Sequence, residues 1–276
     1  MYIKIIGTKP EISKETKNYL GKNQAACLVS SNNTSILVNL GEDILKTLNK
    51  SELDSITHVL VTHEHLQSIG GIAKLDMYLE DSNKMVPIYG PESVLKTIEL
   101  RHSLRNFVCH PIHSNKTYNI EGIFVKPIKV FHTPNSTTFA YNFNGVFFYA
   151  SNMGPVIRKV DLKYATNNIL AVLDGQYWNY QVLSDNHITV SKHLTHIFTL
   201  NNKYTLFTGM GNQWPSLELS DKVLGLRLRK YQKENKKCKI KEIRTAKEGE
   251  KFSINLPELI ARRRSRNKKI DIFSRK

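Results

Sequence analysis

The sequence predicts a mixed α/β protein with two sheets and helices on their outer sides. Two observations carry this. β-branched and aromatic runs alternate with short amphipathic stretches along almost the whole chain. Gly, Asn and Pro punctuate those runs at turn-like intervals. With 276 residues, 40% apolar and 9% aromatic, the chain is long enough for one large domain with a substantial core.

The elements follow in order. "MYIKIIG" reads as a first strand and not as a signal peptide, because it lacks a charged start, a long apolar run and a small-residue cleavage site. "AACLVSSNNTSILVNLG" reads as a hairpin turning at Ser31-Asn32-Asn33. "EDILKTLNK" is a short helix with Ile44, Leu45 and Leu48 on one side. "THVLVTH" is a strand, and "HLQSIGGIAKLDMYL" carries apolar residues at helical spacing. "MVPIYG" is a strand, and "PESVLKTIELRH" is a helix headed by Pro91. In "EGIFVKPIKVFHT", Pro127 interrupts a strand and favours an edge or a bend. "TTFAYNFNGVFFYAS" is a hairpin turning at Asn144-Gly145. "NILAVLDG" is a buried strand, "TVSKHLTHIFTL" a helix and "KYTLFTG" a strand. "LELSDKVLGLRLRKYQKEN" is an amphipathic helix whose apolar face is read as Leu219, Val223 and Leu226 or Leu228. "KCKIKEIRTAKEGEKFSI" closes with two strands and a turn at Gly249. The boundaries expected are a domain over 1–256 and a basic tail over 257–276.

Charge is unevenly placed. The formal net charge is +16. Residues 1–221 hold 20 Lys/Arg against 18 Asp/Glu, whereas residues 222–276 hold 20 against 6. A dense cluster, Arg262, Arg263, Arg264, Arg266, Lys268 and Lys269, ends the chain. Such a cluster suits a nucleic acid or another polyanion, with salt-dependent phosphate contacts blind to sequence. It also suits a solvated, solubilising tail or a nuclear localisation segment. Cys27, Cys109 and Cys238 are odd in number and far apart. They argue against a disulfide framework and for a cytoplasmic or other reducing intracellular compartment. No apolar run is long enough for a membrane span.

The chemistry centres on "VLVTHEHLQSIGG". His63 and His65 lie at a strand's end, where alternation would put both imidazoles on one side, within reach of one cation. His132 follows at the end of "IKVFH". At these residues the sequence resembles the metallo-β-lactamase superfamily, whose motif is a strand followed by T-H-x-H-x-D-H. The matching segments are "ILVNLGED", "VLVTHEHLQSIGG", "IKVFHT", "GVFFYASNMG" and "YTLFTGMG". Within that superfamily it looks closest to the RNase Z and phosphodiesterase-like branch, on "IKIIGT", the strand ending "LDG" and "NHITVSKHL". The resemblance implies an αββα sandwich with a metal site at one edge of the sheets, here followed by a basic C-terminal extension. It implies His63, His65 and His132 as ligands of one metal, with zinc the ion expected.

The departures from the pattern are as informative. Where the family carries an aspartate and a histidine this chain has Gln67 and Ser68. Asn152 replaces the bridging aspartate, Gly209 a late histidine, and Asn39 an early supporting aspartate. Amide oxygens are poor zinc ligands, so a second metal is not expected. Without that cation, clustered carboxylates would repel, and amides of similar size remove the conflict. Loss of the Asn39 carboxylate also argues against tight binding at the first site. Three readings stay open for the histidines: a mononuclear centre with water in the fourth position, a bound but idle metal, and a hydrogen-bonded pocket with no metal.

Two further candidates are His187, in the pocket or exposed ahead of its helix, and Asp174, facing the site or capping the turn at Gly175. Glu64, between the two histidines, is expected on the opposite face. Trp178 and Trp214 read as core packing before base stacking. The resulting expectation is a catalytically reduced protein that binds nucleic acid or another polyanion through its basic end. A protein partner is also open, because the superfamily includes inactive subunits paired with active RNA-processing nucleases. The alternative is a mononuclear hydrolase of phosphodiesters or other esters.

Overall fold

The computed structural model describes residues 1–9, 23–132, 136–155, 157–179, 186–211 and 213–256. The first sheet contains β1 (Tyr2–Gly7), β2 (Ala26–Ser31), β3 (Thr34–Val38), β4 (His58–Leu60), β5 (Val86–Gly90) and β6 (Phe107–Pro111). The second contains β7 (Tyr118–Ile120), β8 (Ile123–Val130), β9 (Thr138–Phe143), β10 (Phe147–Ala150), β11 (Leu170–Asp174), β12 (Tyr204–Thr208) and β13 (Glu242–Thr245). β14 (Lys251–Ser253) returns to the first sheet beside β1. The orders are β14-β1-β2-β3-β4-β5-β6 and β13-β12-β11-β10-β9-β8-β7.

Helices α1 (Ile44–Thr47), α2 (Lys50–Ser55), α3 (Leu66–Ile69), α4 (Ile72–Asp81) and α5 (Glu92–Arg101) join the strands of the first sheet. Helices α6 (Leu162–Ala165), α7 (Val190–Thr199) and α8 (Leu217–Glu234) serve the second. Three apolar clusters define the layers. One lies between the sheets, where Ile3, Val29, Ile36 and Leu60 meet Val125, Tyr141, Phe143, Phe147 and Val172. A second packs Leu37, Val59 and Val61 under α4 and α5 through Leu75, Leu79, Val94 and Ile98. A third packs Phe148, Leu173 and Phe207 under α7 and α8 through Leu194, Ile197, Leu224 and Leu228. Each fully buried large side chain contributes roughly 1.5–3 kcal/mol. The arrangement is the expected αββα sandwich.

Local sequence explains the turns. Asn144 and Gly145 both have positive φ, 52° and 67°, the pair a tight hairpin of this hand needs. Pro127 leaves β8 continuous. β7 pairs only as far as Val125, so Pro127 has no ladder partner on that side to lose. β13 and β14 are not a hairpin: residues 246–250, with Gly249 at φ 80°, carry the chain from one sheet to the other. β6, β7 and the short α6 were not legible as regular elements. The apolar face of α8 keeps Leu228 of the expected residues and is otherwise corrected. Ser220, Leu224 and Leu228 are buried, whereas Leu219 and Leu226 are 50% and 52% exposed.

β3 to β6 run parallel, as do β10 to β13. Their C-terminal ends set the site, as open α/β sheets commonly do. Asn39 follows β3, His63 and His65 follow β4, Ser151 and Asn152 follow β10, Asp174 ends β11 and Gly209 follows β12. His132 joins them from just past β8.

Candidate metal centre

His63, His65 and His132 converge, with one ring nitrogen of each within 4.8 Å of the others. Ring centroids lie 4.7 Å apart for His63–His65, 4.9 Å for His63–His132 and 5.1 Å for His65–His132. His65 Nδ1 and His132 Nε2 are 3.3 Å apart. Strand alternation is not the reason. β4 ends at Leu60, and the two histidines sit in the turn that follows, with His65 at the N-cap of α3.

The outer nitrogens are oriented. Asn39 has φ 63°, a left-handed conformation that Asn tolerates, and its Oδ1 accepts from Thr62 N and Thr62 Oγ1, both at 3.0 Å. With its proton given to Asn39, Thr62 Oγ1 accepts from His63 Nδ1 at 2.8 Å. The His63 Nε2 lone pair then faces the other histidines. His132 Nδ1 donates to the Asn186 carbonyl at 3.1 Å, which frees its Nε2 in the same sense. The amide at position 39 thus still does the orienting work expected of a carboxylate, and its loss does not disorder the site.

Burial, and secondarily the neighbouring His132, His65 and His187, holds His63 well below the usual histidine range. Burial, then the His187 charge, lowers His132 to about 4. Both are therefore neutral donors at pH 7. Three converging imidazoles, two of them oriented from behind and held neutral, fit a borderline ion such as Zn²⁺.

Of the positions that depart from the family pattern, Gln67 and Ser68 lie against His63, and Asn152 joins Ser151. Gln67 Nε2 lies 3.3 Å from His63 Nε2, and Gln67 Oε1 is buried without a partner. Ser68 Oγ lies 3.0 Å from His63 Nδ1. Asn152 Oδ1 accepts from Ser151 Oγ at 3.1 Å, and Ser151 Oγ accepts from Asn39 Nδ2 at 3.4 Å. Gly209 has φ 67°, and a Cβ there would meet only the Ser151 carbonyl, at 3.6 Å.

His187 is 6% exposed, so the solvent-exposed reading is overturned. Its ring lies 4.6 Å from that of His132. Asp174 plays both expected parts. Its Oδ1 accepts from Gln176 N at 2.8 Å and caps the turn, while its Oδ2 accepts from His187 Nδ1 at 2.6 Å and Met153 N at 2.9 Å. Trp214 is buried in the core and donates to the Gly175 carbonyl. Arg262, Arg263, Arg264, Arg266, Lys268 and Lys269 lie outside the described residues. Thr62, Ser151 and the Asn186 carbonyl were not singled out from sequence, because hydroxyls and main-chain carbonyls carry no spacing signal. Among the described residues no helix is long and apolar enough to cross a membrane.

A four-layer sandwich with histidines gathered at the C-terminal strand edge defines a metallo-β-lactamase-fold protein. Solved structures agree. A diphosphatase of the PhnP family superposes with a TM-score of 0.72 at 16% identity, covering 92% of this chain and 98% of that one. YhfI from Bacillus subtilis gives 0.68 at 15% identity, covering 91% and 98%, and human short-form tRNase Z gives 0.62 at 15%, covering 92% and 100%. The profile of the Anti-Pycsar protein Apyc1 family matches residues 1–173, and the chain belongs to that family. Anti-Pycsar protein Apyc1 from Paenibacillus harenae is 25% identical over 169 residues, 55% of this chain and 68% of the relative.

Proposed function

We propose that this chain is a catalytically reduced metallo-β-lactamase-fold protein that holds one metal ion at His63, His65 and His132 and binds a phosphate-bearing polyanion. The basic segment 257–276 supplies further phosphate contacts in this reading. One observation carries it. The three imidazoles gather with two of them oriented from behind, while positions 67, 68, 152 and 209 offer only amides, a hydroxyl and no side chain. Fast phosphodiester hydrolysis in two-metal sites uses both ions to hold the attacking and leaving oxygens, and half of that clamp is missing here. The names of the diphosphatase and the tRNase Z support a phosphate-bearing ligand.

A mononuclear hydrolase is the second reading, and the His187–Asp174 pair favours it. A carboxylate on Nδ1 orients the imidazole and leaves Nε2 to hold or give a proton near His132. The deciding experiment uses untagged protein purified without added metal. Expected are about one zinc per chain and hydrolysis of bis(p-nitrophenyl) phosphate at background even with zinc added. Zinc well below one per chain, not restored by added zinc, removes the metal. Two ions per chain, or turnover abolished by His187→Ala, replaces the reduced-catalysis reading with the hydrolase.

A further inference from the structure

We infer that Gln67 is the fourth ligand of the trio's metal ion, closing the centre against exchangeable small ligands. The inference rests on the single-metal reading above. Gln67 leaves α3 with its side chain 5% exposed and its amide 3.3 Å from His63 Nε2. A tetrahedral centre with bonds of about 2.0–2.1 Å has ligand atoms roughly 3.3–3.4 Å apart. His65 Nδ1 and His132 Nε2 are separated by that edge, 3.3 Å, and so are the Gln67 amide and His63 Nε2. Both separations match the edge such a tetrahedron needs.

The amide's chemistry supplies an independent argument. Gln67 Oε1 is buried with no hydrogen-bond partner, whereas Nε2 is turned to the His63 lone pair. Leaving a buried carbonyl oxygen unsatisfied costs about 1–3 kcal/mol. A cation on His63 Nε2 repels the N–H. A half-turn about the last side-chain bond then replaces Nε2 by Oε1 and gives the unpartnered oxygen the ion as its partner. Glutamine is one methylene longer than the aspartate of the family pattern, so its oxygen reaches across to the trio's own ion. An amide oxygen is a weak zinc donor, but with three imidazoles already present it need only occupy the last position. Structural zinc sites are closed in this way and catalytic ones keep a position open. This chain's ion is then a structural and ligand-orienting centre.

The test is azide titration of the Co²⁺-substituted full chain, read by visible absorption. The wild-type spectrum is expected to be unmoved by azide. Gln67→Ala should shift with azide and bind zinc about 10–100-fold more weakly, a range typical of lost support around a metal. Gln67→Glu, which keeps an oxygen at the position, should be silent to azide again. A wild-type spectrum that responds to azide as readily as Gln67→Ala overturns the fourth ligand while leaving the single metal in place. The wild-type titration decides this even if a variant fails to fold. A chain that takes up neither Co²⁺ nor Zn²⁺ overturns both the fourth ligand and the single-metal reading.

Discussion

At the scale of single residues, the site is a set of polar groups whose directions are fixed from behind. Asn39 takes the Thr62 proton, Thr62 takes the His63 proton, and the Asn186 carbonyl takes that of His132. Keeping these imidazoles neutral has a consequence for metal-free protein. The unfolded chain protonates His132 near pH 6.5, while the folded chain resists until about 4. Above pH 6.5 neither state carries the charge and His132 costs nothing. As pH falls from 6.5 to 4 the unfolded state alone takes up the proton, so stability declines, by up to about 3 kcal/mol. Urea unfolding of chelator-treated protein should show this decline, and His132→Ala should make it shallower, the remainder coming from His63. A wild-type curve flat between pH 7 and 4 contradicts the burial argument.

At the scale of elements, periodicity located the helices better than it chose their faces. α8 carries apolar residues on more than one side, so spacing alone allows Leu219, Val223 and Leu226 or Leu228 as its face. The sheet beneath selects Leu228 from these and adds Leu224, on a stripe shared with Ser220 and Tyr231. Leu224→Ala should therefore cost about 2–5 kcal/mol, and Leu226→Ala within about 0.5 kcal/mol of nothing. Thermal or denaturant unfolding of the two variants checks this, and equal losses would return α8 to the other face. Turns were the more legible elements. Asn144-Gly145 announces its positive φ values through residue type alone. β6 and β7 were missed because Phe107–Pro111 and Tyr118–Ile120 are short edge segments with little alternation.

At the scale of the whole molecule, a nearly neutral body precedes a strongly basic end. If residues 257–276 provide the phosphate contacts, truncation after Leu256 should weaken binding to single- or double-stranded nucleic acid and reduce the salt slope. Each lost phosphate contact removes about 0.7–0.9 from that slope. Fluorescence anisotropy at several salt concentrations measures both quantities. Affinity and slope that survive truncation would move the polyanion contact onto the sandwich itself. The family profile covers residues 1–173, a span that holds the trio and positions 39, 67, 68 and 152.

By itself, the sequence determined the layered class, the two sheets' strand-rich segments and the three histidines. These are matters of residue type and local period, and both survive in one dimension. Only the tertiary structure decided that His187 is buried against Asp174, that Asn39 still orients His63 through Thr62, and that Gln67 points its amide at the trio. Those contacts join residues 13 and 23 positions apart, and a helix turn whose side-chain direction depends on packing. Direction and distance between separate strand ends are set by how the two sheets close on one core, which no local pattern encodes.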